Sequence, residues 1–286
     1  SDSPGFRIKP HCEMPTEGGG LKLNTEVYGG PILYTWFDRP LSFAGRVVLR
    51  SGNPLRPSHR LFRLGRPALV IPHLAIHFNR QINEGNKLSR QKDMLPVISL
   101  DETDSKGFIK AVVAAELDVD AADILDYDLS LYCTEKACTT GFRNDMICAG
   151  RLDDLSMVHA GLSALLAAAG TPSGYTRVLA IFDNEETGSG TKQGAGSPVL
   201  ESILRRITLC KGGSDEHFFR AVADSFMISA DNAHGFHPNY AEKYDPTNHP
   251  VLGGGPCIKV NANCKYMTDA DSAAVFASMC DAAGVP

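Results

Sequence analysis

The stretch Val178-Leu179-Ala180-Ile181-Phe182, followed directly by Asp183-Asn184-Glu185-Glu186, decides the predicted fold of this chain. Five consecutive apolar residues indicate a strand buried on both faces, and such strands occur in sheets that helices cover. Open α/β sheets bind their ligands at the carboxyl ends of the strands. Two adjacent glutamates at this position therefore predict chemistry at the edge of a sheet.

The residues on either side of this strand continue an alternation of helices and apolar strands. Before it, apolar residues recur at helical spacing: Leu155, Val158, Leu162, Leu165 and Leu166. After it, helical stretches at 199–207 and 218–223 precede a second apolar run, Phe226–Ile228. This alternation predicts an α/β layer with both faces of its sheet covered.

Residues 22–146 have a different character, because short β-like runs are separated by turn signals such as Gly29-Gly30. The predicted strands are Ile32–Phe37, Arg46–Arg50, Pro67–Ile71 and Leu129–Tyr132. We expect a β-rich unit with one or two helices.

Two more acidic clusters accompany the glutamates. The second apolar run leads into Asp231, with His234 and His237 three and six residues later, and the pair Asp153-Asp154 precedes the first amphipathic helix. Each cluster has an ordinary alternative, since an Asp before a helix is often a cap, paired glutamates are often solvated, and a single loop histidine is seldom a ligand. Three clusters together favour a site.

These residue types suit a pair of divalent metal ions. Zinc takes Asp, Glu and His ligands, and two ions about 3.5–4 Å apart need a carboxylate that bridges them. A second carboxylate, not bound to metal, can act as general base toward the attacking water. Adjacent glutamates fit this division, because neighbours on an extended or turning chain point in different directions.

Composition excludes several classes of partner. The 286 residues carry a formal net charge of −5, with 33 acidic and 28 basic residues interspersed. Since no basic stripe indicates nucleic acid or an anionic membrane, peptides or small molecules are expected. No signal peptide and no run of about 18 apolar residues is visible, which predicts a cytoplasmic protein. The eight cysteines form no CxxC pair and are expected to be reduced and mostly buried.

Seven segments resemble motifs of the aspartyl aminopeptidase-like family of dinuclear zinc metallo-aminopeptidases, in the family's order along the whole chain. They are Ser1–Arg7, Tyr28–Gly30 with Trp36–Leu41, Ile71–His77, Arg151–Leu155, Asp183–Glu186, Ser229–Tyr240 and Gly255–Asn261. Each segment alone is a weak signal, but seven in order are a strong one. One departure is Asp154, which stands where the family usually has Asn.

The resemblance implies a role for each acid. Asp153 would bridge the two metal ions, Glu186 would bind one ion and Asp231 the other, and Glu185 would be the general base. Asp2 would orient a histidine ligand that precedes the first residue. A second histidine ligand would lie in a carboxyl-terminal segment beyond this chain.

The resemblance also implies the domain organisation. Residues 1–21 would begin a catalytic domain of the zinc-exopeptidase type, with a mixed sheet covered by helices, and residues 147–286 would continue it. The β-rich insert at 22–146 would mediate dimerisation within a homo-oligomer built from dimers. Its residue His77 would reach a neighbouring subunit's site, although the residues alone favour a histidine hydrogen-bonded within the insert. His237 and Lys259 would contact substrate.

The predicted function is that of a zinc-dependent aminopeptidase, which removes single residues from the amino termini of peptides. Two divalent metal ions, expected to be zinc, would activate a water whose proton Glu185 delivers to the leaving amine. Two alternatives stay open: a co-catalytic metal deacylase of small amides, and a non-catalytic scaffold that retains the fold. A comparison of free-amine with N-acylated substrates separates the first, and turnover by metal-loaded protein excludes the second.

Overall fold

Within residues 2–101 and 106–286, which the computed structural model describes, six antiparallel strands form the main sheet. They are β1 (Gly5–Pro15), β2 (Leu21–Tyr28), β3 (Leu41–Leu49), β4 (Ser58–Arg63), β5 (Val97–Ser99) and β6 (Ile124–Cys133). Their order across the sheet is β4-β3-β6-β1-β2-β5. Two short strands, β7 (Cys138–Thr140) and β8 (Met146–Cys148), pair separately.

The helices of the described residues lie mostly after the sheet. They are α1 (Phe108–Leu117), α2 (Leu152–Ala168), α3 (Val199–Cys210), α4 (Asp215–Ala223) and α5 (Ala270–Ala283). None of these helices is both long and apolar enough to span a bilayer. The chain divides into two units, Ser1–Phe226 and Met227–Pro286.

The hydrophobic core lies against the main sheet. Along β2, Leu21, Leu23 and Thr25 are buried, as the alternation of strand side chains requires. Helix α1 contributes Ile109 and Val113 to the same apolar cluster. The Glu13 carboxylate accepts a hydrogen bond from the Ile109 backbone N–H at 3.1 Å, which ties the start of α1 to β1. Phe218 is the one buried hydrophobic residue that the described chain holds after residue 131.

The α/β class and several predicted elements are confirmed. Strand β3 contains all but the last residue of the predicted run Arg46–Arg50, and β6 contains the predicted run at 129–132. Helices α2, α3 and α4 cover the three predicted helical stretches. The sequence did not predict the β1–β2 hairpin. The run at 32–37 was predicted as a strand but holds a 3₁₀ helix at Leu33–Trp36, because Ile32 closes a turn by accepting a hydrogen bond from the Thr35 N–H.

Two other strand predictions are wrong in the described residues. Val178–Phe182 and Phe226–Ile228 form no strand, because no neighbouring segment supplies the ladder of hydrogen bonds that defines one. Val178 and Ile181 are 53% and 51% exposed. The main sheet is antiparallel and precedes residue 134, and the β7–β8 pair ends at Cys148, so the mixed sheet expected for the catalytic part is not formed in the described residues.

Burial of the cysteines also differs from expectation. Cys12 is fully buried, but Cys138, Cys148, Cys210, Cys257 and Cys264 are exposed. Ser1 and residues 102–105 lie outside the described residues, so the first residue of the Ser1–Arg7 motif is not described.

Candidate metal centre

The register of the β1–β2 hairpin places the start of the chain beside the Tyr28-Gly29-Gly30 turn. Gly5 pairs with Tyr28, so the residues before Gly5 run alongside the residues that follow β2. A Cβ atom added to Gly29 would lie 2.9 Å from the Pro4 Cβ, which shows how closely the two segments approach. This corner of the sheet receives both acidic segments of the first unit.

Glu186 is anchored at this corner. Its side chain is half-buried, and its Oε2 accepts a hydrogen bond from the Gly30 backbone N–H at 3.1 Å. Glu185, the preceding residue, is exposed. The two adjacent glutamates therefore have different surroundings.

Asp2 lies next to the same segment. Its carboxylate accepts a hydrogen bond from the Ser3 N–H at 2.8 Å. Burial raises the pKa of Asp2, and the negative charge of Asp183 raises it further, while the backbone N–H groups of Ser3 and Glu186 oppose the rise. Asp2 is thus in contact with the segment that carries both glutamates.

Asp153 reaches the corner through its backbone. The Ser3 hydroxyl donates a hydrogen bond to the Asp153 carbonyl oxygen at 3.3 Å. The N-cap of α2 is Arg151, in the left-handed region, and the backbone of Asp153 and Asp154 is not helical. Carboxylate oxygens of the two aspartates lie within 4.8 Å of each other.

Tyr28 and Asp183 belong to this cluster, although neither residue was predicted to have a role. Burial raises the pKa of the half-buried Tyr28 phenol, and the carboxylates of Asp2, Asp183 and Glu186 add to the effect. Asp183 itself accepts a hydrogen bond from the Gln193 side chain at 3.0 Å. Only their places in the sequence could have indicated a role: Tyr28 precedes a Gly-Gly turn within one of the quoted motifs, and Asp183 is the first residue of the acidic run.

The donor set at this corner fits zinc. Every charged side chain that raises the pKa of Tyr28 is a carboxylate. Carboxylates are ligands of zinc, and a divalent cation would offset the repulsion among them. The residues that would hold zinc in the first unit are Glu186 and Asp153, with Asp2 beside them.

His77 lies elsewhere in the first unit, in a short 3₁₀ helix at Ile76–Phe78. Its ring is exposed and makes no hydrogen bond within residues 2–101 and 106–286. The residues around it in sequence are apolar and exposed as well: Leu74 at 57%, Ile76 at 51% and Phe78 at 80%. The alternative favoured by the residues alone, that His77 is hydrogen-bonded within the insert, therefore does not hold among the described residues.

The second unit holds the other predicted site residues. Lys259 Nζ lies 2.6 Å from Asp231 Oδ2 and also donates to the Asn232 carbonyl oxygen at 3.2 Å. The His237 ring accepts a hydrogen bond from the Asn239 N–H at 3.2 Å and lies 4.9 Å from the Tyr240 ring. Within this unit, therefore, Asp231 and Lys259 meet as an ion pair.

Comparison with known proteins identifies a single family. The sequence profile of the aminopeptidase I zinc metalloprotease (M18) family matches residues 1–286. Two curated relatives, both described as probable M18 family aminopeptidase 2, come from Clostridium acetobutylicum, at 52% identity over 288 residues, and Streptomyces avermitilis, at 42% over 289. Each alignment covers 100% of this chain and 66% of the relative, so the chain spans about two thirds of their length.

A solved structure shows the same fold. A chain in the cryo-EM structure of the Ape4 and Nbr1 complex superposes with a TM-score of 0.91 at 34% identity, covering 99% of this chain and 58% of that one. Neither alternative from the sequence, a deacylase of small amides or a non-catalytic scaffold, gains support from these comparisons.

Proposed function

The chain belongs to the aminopeptidase I (M18) family of zinc metalloproteases, and on that premise we propose that its protein is a zinc-dependent aminopeptidase acting on peptides. The proposed reaction is hydrolysis of the first peptide bond, which releases the amino-terminal residue. Two zinc ions, a cytoplasmic location and a homo-oligomer built from dimers are parts of the same proposal.

One observation carries the proposal. Asp2 and Ser3 are adjacent, and Asp2 contacts the segment of Glu186 while Ser3 contacts Asp153. Asp153 and Glu186 are 33 positions apart in sequence. Acidic residues on a protein surface repel one another, so two acidic segments held at the same corner suggest that they share a ligand. Two carboxylate segments fixed by one short segment fit a shared cation.

The proposed ligands are Asp153, Glu186 and Asp231, with Asp153 bridging. When bound, zinc polarises the scissile carbonyl and lowers the pKa of a water molecule. Asp231 is paired with Lys259 in the second unit. The Lys259 ammonium thus stays close to a proposed ligand, where it can bind the carbonyl or carboxylate oxygens of a peptide. His237 is proposed as a second substrate contact.

Glu185 is proposed as the general base. It is exposed, whereas Glu186 is half-buried and hydrogen-bonded to Gly30. An exposed carboxylate next to a proposed ligand can take a proton from water and pass it to the leaving amine. A general base of this kind contributes about 10²–10⁴-fold to the rate.

His77 is proposed to act in the site of a neighbouring subunit. The exposed His77 is flanked by exposed Leu74, Ile76 and Phe78, an apolar patch of the kind that a protein partner can cover. Burial of these side chains against a partner subunit would remove their apolar surface from water. The same contact would place the His77 imidazole at the interface with that subunit. The ring could then stabilise charge that develops on the carbonyl oxygen of the substrate.

The direct test uses the full-length protein. Zinc content is measured by elemental analysis, and turnover is measured on a panel of aminoacyl substrates with free or acylated amines. We expect zinc to be present, activity to vanish on chelation and return with zinc, and hydrolysis to require a free amine. Zinc-free activity, or preference for acylated amines, would contradict the proposal.

A further inference from the structure

The Gly29-Gly30 turn after β2 contacts Glu186 in two ways: Gly30 makes a hydrogen bond to it, and Gly29 lies close against its side chain. The Gly30 N–H donates to Glu186 Oε2 at 3.1 Å. Glu186 Oε1 accepts no hydrogen bond within residues 2–101 and 106–286. Within the described residues, the carboxylate is therefore hydrogen-bonded through one oxygen alone.

Gly29 leaves no room for a side chain at this contact. Its φ is +68°, in the left-handed region, and an added Cβ would lie 2.4 Å from Glu186 Oε2 and 3.0 Å from Glu186 Cβ. The same Cβ would lie 2.9 Å from the Pro4 Cβ, so both Glu186 and Pro4 would have to shift, because real Cβ atoms do not approach other atoms more closely than about 3.0 Å. The absence of a side chain at position 29 thus lets Glu186 adopt its observed position.

We propose that the Gly29-Gly30 turn is a positioning element for Glu186, which fixes one carboxylate oxygen by hydrogen bonding and directs the other toward zinc. The register of the β1–β2 hairpin holds the turn in place, since Gly5 pairs with Tyr28 immediately before it. A ligand fixed in this way loses less freedom when the ion binds. The inference rests on the proposed function, because it takes Glu186 as a zinc ligand.

The simpler explanation is that glycine at position 29 serves the backbone of the turn alone. Gly19 allows the two explanations to be separated. It lies in the turn that joins β1 to β2, its φ is +88°, and an added Cβ there would meet no atom within 4 Å. Gly19→Ala therefore imposes left-handed strain on the same hairpin without pressing on Glu186.

The experiment measures zinc affinity by chelator competition on the metal-stripped, full-length protein, together with its unfolding temperature. The variants are Gly29→Ala, Gly29→Asn and the control Gly19→Ala; Asn tolerates positive φ best among residues with a Cβ. We expect both Gly29 variants to bind zinc about 10–100-fold more weakly, the usual cost of disturbing a group that orients a ligand. Gly19→Ala should lose thermal stability while its zinc affinity stays unchanged.

Equal zinc affinity in Gly29→Asn and the unmodified protein would overturn the inference, and so would an equal loss in Gly19→Ala. If neither Gly29 variant folds, a zinc-bound crystal structure of the unmodified protein provides the test. The Gly30 N–H should still donate to one Glu186 oxygen in that structure. A Glu186 carboxylate that binds zinc through both oxygens would refute the inference. Glu186→Gln is measured in parallel. If Glu186→Gln retains zinc, the proposed function is contradicted. If Glu186→Gln loses zinc but Gly29→Asn does not, only the positioning role of the Gly29-Gly30 turn is contradicted.

Discussion

Replacing Glu186 by Gln should affect zinc binding and protein stability very differently. The glutamine amide has the same size as the glutamate side chain. Its oxygen can still accept the hydrogen bond from the Gly30 N–H, which lies 3.1 Å from Glu186 Oε2 in the unmodified protein. What it removes is a negative charge that, like those of Asp2 and Asp183, raises the pKa of Tyr28. The substitution thus tests the charge of one side chain while its packing is preserved.

The stability of the zinc-free protein should change little. A hydrogen bond to a charged acceptor stabilises by about 1.5–3 kcal/mol and one to a neutral acceptor by about 0.5–1.5, so the Gly30 contact loses roughly 1 kcal/mol. The unfolding temperature should therefore shift by no more than about 4 °C.

Zinc affinity should fall much further. Groups that only orient a ligand contribute about 10–100-fold, so loss of a charged ligand should cost at least about 100-fold. The assay is zinc content after equilibrium dialysis against a zinc buffer, with calorimetry of the stripped proteins alongside. Full zinc occupancy in Glu186→Gln would refute the assignment, and if Glu185→Gln lost zinc instead, the two roles should be exchanged.

Four other outcomes are expected. Glu185→Gln should retain zinc but lose about 10²–10⁴-fold in turnover. As a control, substitution of the exposed Glu17 by Gln should leave turnover unchanged. A loss of turnover below about tenfold in Glu185→Gln would show that Glu185 is not the general base. Mixtures of inactive Glu185→Gln and His77→Ala subunits should regain activity, since one site in each mixed dimer has both residues; no recovery despite proven exchange would place His77 outside a partner's site. Burial raises the pKa of the Cys12 thiol to about 12, so iodoacetamide at pH 8 should label Cys138 but not Cys12 before unfolding. Because the folded pKa lies above the usual value of 9.0, the stability that Cys12 contributes is complete below pH 9 and is lost as the pH rises toward 12, which urea unfolding at pH 8 and pH 11 would detect.

The sequence predicted those elements whose pattern is local. Helices α2, α3 and α4 follow from apolar spacing, and β3 and β6 from short apolar runs between turns. The run at 178–182 has an equally strong local pattern but forms no strand, because strand formation depends on a partner segment and periodicity does not supply one. The β1–β2 hairpin was missed, although Leu21, Leu23 and Thr25 alternate as a half-buried strand should.

The candidate site was predictable where residue chemistry suffices. Asp2, Asp153 and Glu186 are acids in recognisable motifs, and contacts through Asp2 and Ser3 bring their segments together. Tyr28 and Gly29 could not be assigned in the same way, because a tyrosine before two glycines usually means a turn. Their relation to Glu186 arises from the register of the hairpin, which the sequence does not reveal.

Anomalous diffraction at the zinc absorption edge, from crystals of the active full-length protein, tests the central claim most directly. The account predicts two zinc peaks about 4 Å apart, with Asp153 between them, Glu186 on one ion and Asp231 on the other. Carboxylates of Asp153, Glu186 and Asp231 separated by well over about 10 Å, or zinc bound away from all three, would contradict it.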